Sequence, residues 1–346
     1  MTAWTEFLSS QGAVLNDDGI AVRFSGEAAG SAAELAAAET ETVVADLSHF
    51  GLIAFSGDEA QTFLHGQITN DLRNLNEQGA VFAGYLSAKG RMLANFLVMK
   101  RGDDVLVMLP AALRESIQKR LSMFILRSKV KARDAGPEWV RLGINGPLAT
   151  AALSDALGFA LPVERMGMAH GEQVFVLRLD DQRFDVFVET DAAAALWQKL
   201  TARCRPVGAP VWDWLLVQAG VPMVQPQTQD HFVPQMANME ILGAVSFNKG
   251  CYPGQEIVAR SQYLGKVKRR LFLAHVAAEA QPGDELYSAD LPDQVAGQIA
   301  NAAAAPGGGC DVLAVVHSSS VEAGDVRLKA RDGARLEFRP LPYPVS

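Results

Sequence analysis

The sequence predicts an α+β protein of more than one domain, and three observations predict it. The chain has 346 residues, 49% hydrophobic and 20% charged, which suits two or three buried cores and excludes charge-driven disorder. Strand pairs alternate with single helices through the first two thirds, the rhythm of layered α+β sandwiches rather than of a doubly wound parallel sheet. Beyond Lys268 the texture changes to short strands separated by turns, the mark of a small barrel.

Helices are expected over 2–9 and 32–38, and strands over 42–48 and 52–56, with Asp58 as N-cap of a helix over 59–65. Three strands follow over 81–87, 91–99 and 104–109, the last two joined by the turn Arg101-Gly102-Asp103. Pro110 suits the first turn of a helix to about Met123, because Leu113, Ile117, Leu121 and Phe124 recur at helical spacing. Strands over 129–132 and 140–144 precede a helix that Gly146-Pro147 opens and that runs to Leu157. A hairpin pairs 173–179 with 183–189, and helices are expected over 191–203 and 210–218. Six short strands then read over 271–276, 285–288, 295–299, 312–317, 326–329 and 336–339. The expected division is an α+β domain over 1–137, a second over 138–265 and a β-barrel over 266–346.

Charge is unevenly spread. The formal net charge is −8, which argues against a general nucleic-acid binder. Segment 24–72 holds eight acidic residues and no Lys or Arg, whereas 114–133 holds seven basic residues against Glu115 alone. A second basic window, 249–270, holds six against Glu256. Each reads as a solvated face, unless both converge on one cavity and focus a field on an anionic small molecule or a patch of RNA.

Cys204, Cys251 and Cys310 form no CxxC pair and read as reduced thiols of a cytoplasmic compartment. Three scattered thiols do not supply the four that a stable iron–sulfur cluster wants, and the six histidines show no ligand spacing, so no permanently bound metal is expected. No apolar run reaches the ~18 residues of a membrane span, and the first basic residue, Arg23, comes too late for a signal or transit peptide. Neither GxGxxG nor GxxxxGK[ST] occurs, and Gly307-Gly308-Gly309 reads as a hairpin loop.

The most informative segment is KGCYPGQE, residues 249–256. Its glycines allow tight turns and close backbone approach. Pro253 suits the start of a helix over 254–262, which puts Cys251 just ahead of a helix N-terminus with the ammonium of Lys249 two residues away. Both favour thiolate and hence a reactive Cys251; the alternative is an inert buried thiol in a turn.

This octapeptide resembles the K-G-C-[FY]-x-G-Q-E signature of the YgfZ family, within the folate-binding superfamily of the glycine-cleavage T-protein. HGQITNDL (65–72), LSAKGRMLANF (86–96), LRSKV (126–130) and PQMANMEILGAVSF (234–247) extend the resemblance over most of the chain. It implies α+β domains and a C-terminal β-barrel around a channel that takes tetrahydrofolate or a folate derivative. It further implies an accessory protein for iron–sulfur cluster assembly or repair, serving client enzymes such as the radical enzymes of tRNA modification, with Cys251 as the functional thiol.

Two departures from the T-protein pattern shape the expectation. Where T-proteins resemble G-G-I-I-D-D-L-I-V, with an aspartate serving methylene transfer, this chain has Ala94 and Asn95, neither of which exchanges a proton. A carboxylate that holds the pterin in the E-A-G segment is replaced by Gln218 of QAG, an amide that still hydrogen-bonds. Folate binding without aminomethyl transfer is therefore the expectation, with a true aminomethyltransferase as the alternative and a tRNA-binding module using 266–270 as a third reading. Cys251 and Lys249 are the candidate catalytic pair. Asn95, Tyr85, Gln218, Tyr252, Gln255 and Glu256 are candidate folate contacts, the tyrosines by stacking. Arg127, Lys129 and Arg260 are candidates for the anionic folate tail.

Overall fold

The computed structural model describes residues 2–24, 30–263, 265 and 267–345. Among these, no helix is long and apolar enough to cross a membrane. A five-stranded antiparallel sheet runs in the order Val81–Leu86, Met92–Arg101, Asp104–Pro110, Phe50–Ser56, Lys131–Asp134. Met92–Met99 are buried on both faces of their strand, as a near-continuous apolar run requires. Helix Ala111–Ser122 covers the sheet with Leu113, Ile117 and Leu121, the helical stripe read from sequence.

The six-stranded second sheet runs Met168–His170, Val174–Arg178, Arg183–Glu189, Trp139–Asn145, Val43–Asp46, Arg205–Val207. Its hairpin pairs Phe175 with Phe187, whose rings stack at 4.5 Å. The edge strand Arg205–Val207 pairs in parallel with Val43–Asp46, so a strand from the first fifty residues crosses the expected boundary at 137 and completes the second sheet. The outer face of this sheet buries Trp4, Leu8, Leu153 and Trp197 from the helices Ala3–Ser10, Ala149–Leu157 and Ala193–Thr201. Its inner face and the first sheet share one core with helix Ala209–Gln218. Gly143 makes that helix fit: a Cβ there would lie 2.5 Å from the Trp212 ring.

The C-terminal sheet contains the six expected strands in the order Val326–Leu328, Glu285–Ser288, Gly297–Ala304, Cys310–His317, Arg269–Val276, Leu336–Arg339. It is curled, and an isolated bridge between Arg327 and Arg335 draws its two edges together. A register shift between Ile299 and Asn301 turns Asn301 toward Met223, where its amide accepts from the backbone N–H at 3.0 Å and donates to the carbonyl at 2.9 Å. Buried Asp311 holds the same junction by accepting from Trp214 Nε1 at 2.9 Å and Gln218 Nε2 at 2.8 Å.

Two local expectations are corrected. The N-cap position of helix Ala60–His65 belongs to Glu59, not Asp58, and no side chain caps it. The Glu59 carboxylate instead accepts from the Lys129 N–H at 2.6 Å. Pro110 ends its strand and occupies the N-cap position, one residue before the helix.

Candidate functional site

The KGCYPGQE segment is fastened by backbone against the turn of LSAKGRM. Gly254 (φ +79°) and Gly90 (φ +71°) face each other; a Cβ on Gly254 would lie 2.7 Å from Gly90 Cα and 2.6 Å from the Ser87 carbonyl oxygen. A Cβ on Gly90 would lie 2.7 Å from Ile257 Cβ. Only glycine satisfies both the left-handed backbone and the approach. Helix Gln255–Tyr263 starts at this contact, as expected, and Cys251 is exposed just before it.

Lys249 is buried and points inward. Its ammonium donates to the carbonyls of His65 and of Ile68, the latter at 2.6 Å, and lies 5.0 Å from the centre of the Tyr252 ring. Burial pulls this ammonium down to about 8 and pushes the Tyr252 phenol up to about 12. Lys249 thus ties the signature to HGQITNDL. From the same segment, Thr69 Oγ1 donates to Ala244 O at 2.6 Å, and the Asn70 amide donates to Gly243 O at 2.8 Å. Four of the segments that carry the resemblance, KGCYPGQE, LSAKGRMLANF, HGQITNDL and PQMANMEILGAVSF, therefore meet in space.

Other expected ligand residues are engaged within the protein. Asn95 is buried, donates to Pro222 O at 2.8 Å and accepts from the Val224 N–H at 2.7 Å. Tyr85 is buried and stacks on Phe96, with centroids 6.1 Å apart; burial raises its phenol. Gln218 is turned to Asp311. Gln255 is half-buried; Glu256 and Arg260 are exposed and pair with each other at 3.3 Å. Arg127 and Lys129 are exposed on the 123–130 loop. Of the C-terminal basic group, Arg270 pairs with Glu240, Arg269 donates to Val295 O at 3.1 Å, and Lys266 lies outside the described residues.

A cavity of about 320 Å³ lies between the two sheets. Its walls are apolar, with Phe82, Leu97 and Met108 from the first sheet and Trp212 and Leu216 from the central helix. Its polar groups are Asn70, Arg183, Asp185 and Arg165, the last exposed. Asp185 Oδ1 and Arg183 Nε are buried without a hydrogen-bond partner among the described residues. Burial lifts the Asp185 carboxyl to about 7, against the opposing pull of Arg183, Arg141 and His49. A second chamber, about 600 Å³, shares Phe50, Leu216, Val221 and Met223 with the first and is also lined by Pro282, Asn301 and Ala302 from the C-terminal part of the chain.

None of the eleven expected site residues lines either chamber. The sequence carries a signal for two of the charged cavity residues: Arg183 and Asp185 stand two apart, hence on one face, in the strand RFDVFVE, whose only other charged residue is Glu189 at its end.

The sequence matches the model of the GCVT N-terminal domain over residues 5–249, and the chain belongs to that family. The glycine cleavage system aminomethyltransferase T from Bartonella henselae has the same fold, with a TM-score of 0.79 over 97% of this chain and 96% of that one, at 19% identity. Within the class the chain is a member of the YgfZ family. The tRNA-modifying protein YgfZ of Colwellia psychrerythraea is 30% identical over 88% of this chain and 94% of the relative, and that of Yersinia enterocolitica 28% identical over 90% and 96%.

Proposed function

We propose that this chain is a tetrahydrofolate-binding accessory protein that supports iron–sulfur cluster assembly or repair and, through it, tRNA modification. In this reading the folate occupies the cavity between the sheets and Cys251 is the working thiol. The observation that carries the folate assignment is the buried, unpartnered Asp185 oxygen beside the unpartnered Arg183 Nε in a cavity with mostly apolar walls. An aminopyrimidinone edge presents adjacent N–H donors and a carbonyl acceptor, which a carboxylate and a guanidinium match, and its flat rings suit apolar walls. Exposed Arg165 offers a cation to the anionic tail, in place of Arg127, Lys129 and Arg260. The bound folate would supply a one-carbon carrier.

Three further features support an accessory role over aminomethyl transfer. Ala94 carries no acid, and Asn95 is consumed by the 222–224 backbone, so neither supplies a proton to a ligand. The exposed thiol of Cys251 stands outside the cavity lining, open to a protein partner. The relatives are named tRNA-modifying proteins.

The test is complementation of a deletion strain, scoring the tRNA modification made by a radical iron–sulfur enzyme. Cys251→Ser should fail to restore it while binding folate like wild type. A Cys251→Ser protein that restores modification fully overturns the thiol assignment. Methylene transfer to tetrahydrofolate by the purified wild type would instead establish the aminomethyltransferase reading.

A further inference from the structure

Three of the six exposed large hydrophobic side chains among the described residues fall within four positions: Met123 is 60% exposed, Phe124 46% and Leu126 87%. They project from the loop after helix Ala111–Ser122. The loop is held rather than loose. Ile125 packs into the main core, the Lys129 N–H donates to Glu59, and the Lys129 carbonyl fills the space that a Cβ on Gly57 would need, at 2.2 Å. Leu126 is kept at φ +46°, a conformation that costs a leucine energy and that the anchors on either side impose.

The charge around this apolar knuckle is of one sign. Residues 116–132 contain no acid, in a chain of net charge −8, and contain Lys119, Arg120, Arg127, Lys129 and Lys131. All five are exposed. The arginines bounding the strip are paired, Arg114 with Asp134 at 3.4 Å and Arg133 with Asp104 at 2.9 Å, whereas none of the five forms an ion pair among the described residues. Of the other basic group, Arg269 and Arg270 are both engaged within the protein.

We propose that the 119–131 strip is an RNA-docking surface, on which Lys119, Arg120, Arg127, Lys129 and Lys131 follow phosphates while Phe124, flanked by Met123 and Leu126, receives an unstacked base. Cations without an acidic partner on an anchored edge, with Arg120 reaching the Tyr85 hydroxyl, suit a polyanion, and an exposed aromatic among them suits the splayed bases of an RNA loop. An anionic membrane is the poorer match, because the strip's exposed large hydrophobic side chains are three, Met123, Phe124 and Leu126, and form no amphipathic helix face. The choice of RNA rests on the tRNA-modification reading; the surface itself is separate from the folate cavity and from Cys251.

The probe is an unmodified tRNA transcript, titrated with the full-length protein by fluorescence anisotropy at several salt concentrations. Wild type should bind with a steep salt dependence. Arg127→Ser with Lys129→Ser should lower the slope of log affinity against log salt by about 1.4 to 1.8, at about 0.7–0.9 per lost phosphate contact. Phe124→Ala should weaken binding about tenfold or more with the slope unchanged. Leu126→Asn keeps the left-handed conformation open and should weaken binding more modestly. Tetrahydrofolate affinity should be the same in all variants, which reports an intact fold. Wild type that binds folate but not tRNA, or variants that bind tRNA as wild type does, overturns the docking surface and leaves the proposed function standing. Loss of binding to phosphatidylserine vesicles rather than to tRNA in the same variants assigns the strip to a membrane and also overturns it.

Discussion

Gly254→Ala places a methyl group where two backbones already touch, and its cost follows from the geometry. The new Cβ would lie 2.6 Å from the Ser87 carbonyl oxygen and 2.7 Å from Gly90 Cα, at φ +79°. The left-handed backbone costs an L-residue roughly 1–2 kcal/mol. Over-packing adds about 1–3 kcal/mol, and these neighbours are main-chain atoms that cannot rotate aside. A loss of about 3 kcal/mol is therefore expected in equilibrium urea unfolding. Gly250→Ala is the matched control, because a Cβ there meets nothing within 4 Å, and it should change stability by less than about 0.5 kcal/mol. Gly90→Ala disturbs the same contact, so the double variant should cost less than the sum of the singles. Equal stabilities for Gly254→Ala and Gly250→Ala would refute the claim that these loops interlock through their glycines.

The buried ammonium of Lys249 titrates near 8 when folded and at its ordinary 10.5 when unfolded. Between those values the unfolded chain binds more protons, so stability should rise with pH from about 8 to 10.5, and in Lys249→Met that rise should disappear from the pH series of unfolding curves. Asn95→Asp sets a carboxylate against the Pro222 carbonyl in a buried site; chemical unfolding should show a loss of about 1–3 kcal/mol, and no methylene transfer should appear. Asp311→Ala removes the shared acceptor of Trp214 and Gln218 together with its contacts to His275 and Arg339. Limited proteolysis should then cut between the central helix and the C-terminal sheet sooner than in wild type.

Local order was legible in the sequence wherever it depends on a local pattern. The stripe Leu113, Ile117, Leu121 specifies one face of a helix, and two apolar-rich runs split by Asp180-Asp181-Gln182 specify a hairpin. All six C-terminal strands were marked by their turns. Non-local pairing was not legible. Arg205–Val207 is three residues long with a proline in the middle, and it becomes a strand only because Val43–Asp46 offers a partner about 160 positions earlier. The site shows the same division. The KGCYPGQE resemblance pointed to segments that do meet, but residue type does not encode direction. Asn95 and Gln218 have amides suited to a ligand and spend them on Val224 and Asp311. Asp185 shares a strand face with Arg183, but a strand pattern does not say which face opens on a cavity.

The central claim is that the cavity holds the folate and that Cys251 acts elsewhere. Calorimetric titration of tetrahydrofolate into wild type, Asp185→Asn and Cys251→Ser, at pH 6 and pH 8, tests it most directly. The Asp185 carboxyl sits near 7 and grips N–H donors best when ionised, so wild type should bind more tightly at pH 8. Asp185→Asn should bind about 10–100-fold more weakly at pH 8, the worth of one charged hydrogen bond, and lose the pH dependence. Cys251→Ser should bind as wild type does. Wild-type affinity in Asp185→Asn, or lost affinity in Cys251→Ser, would contradict the account.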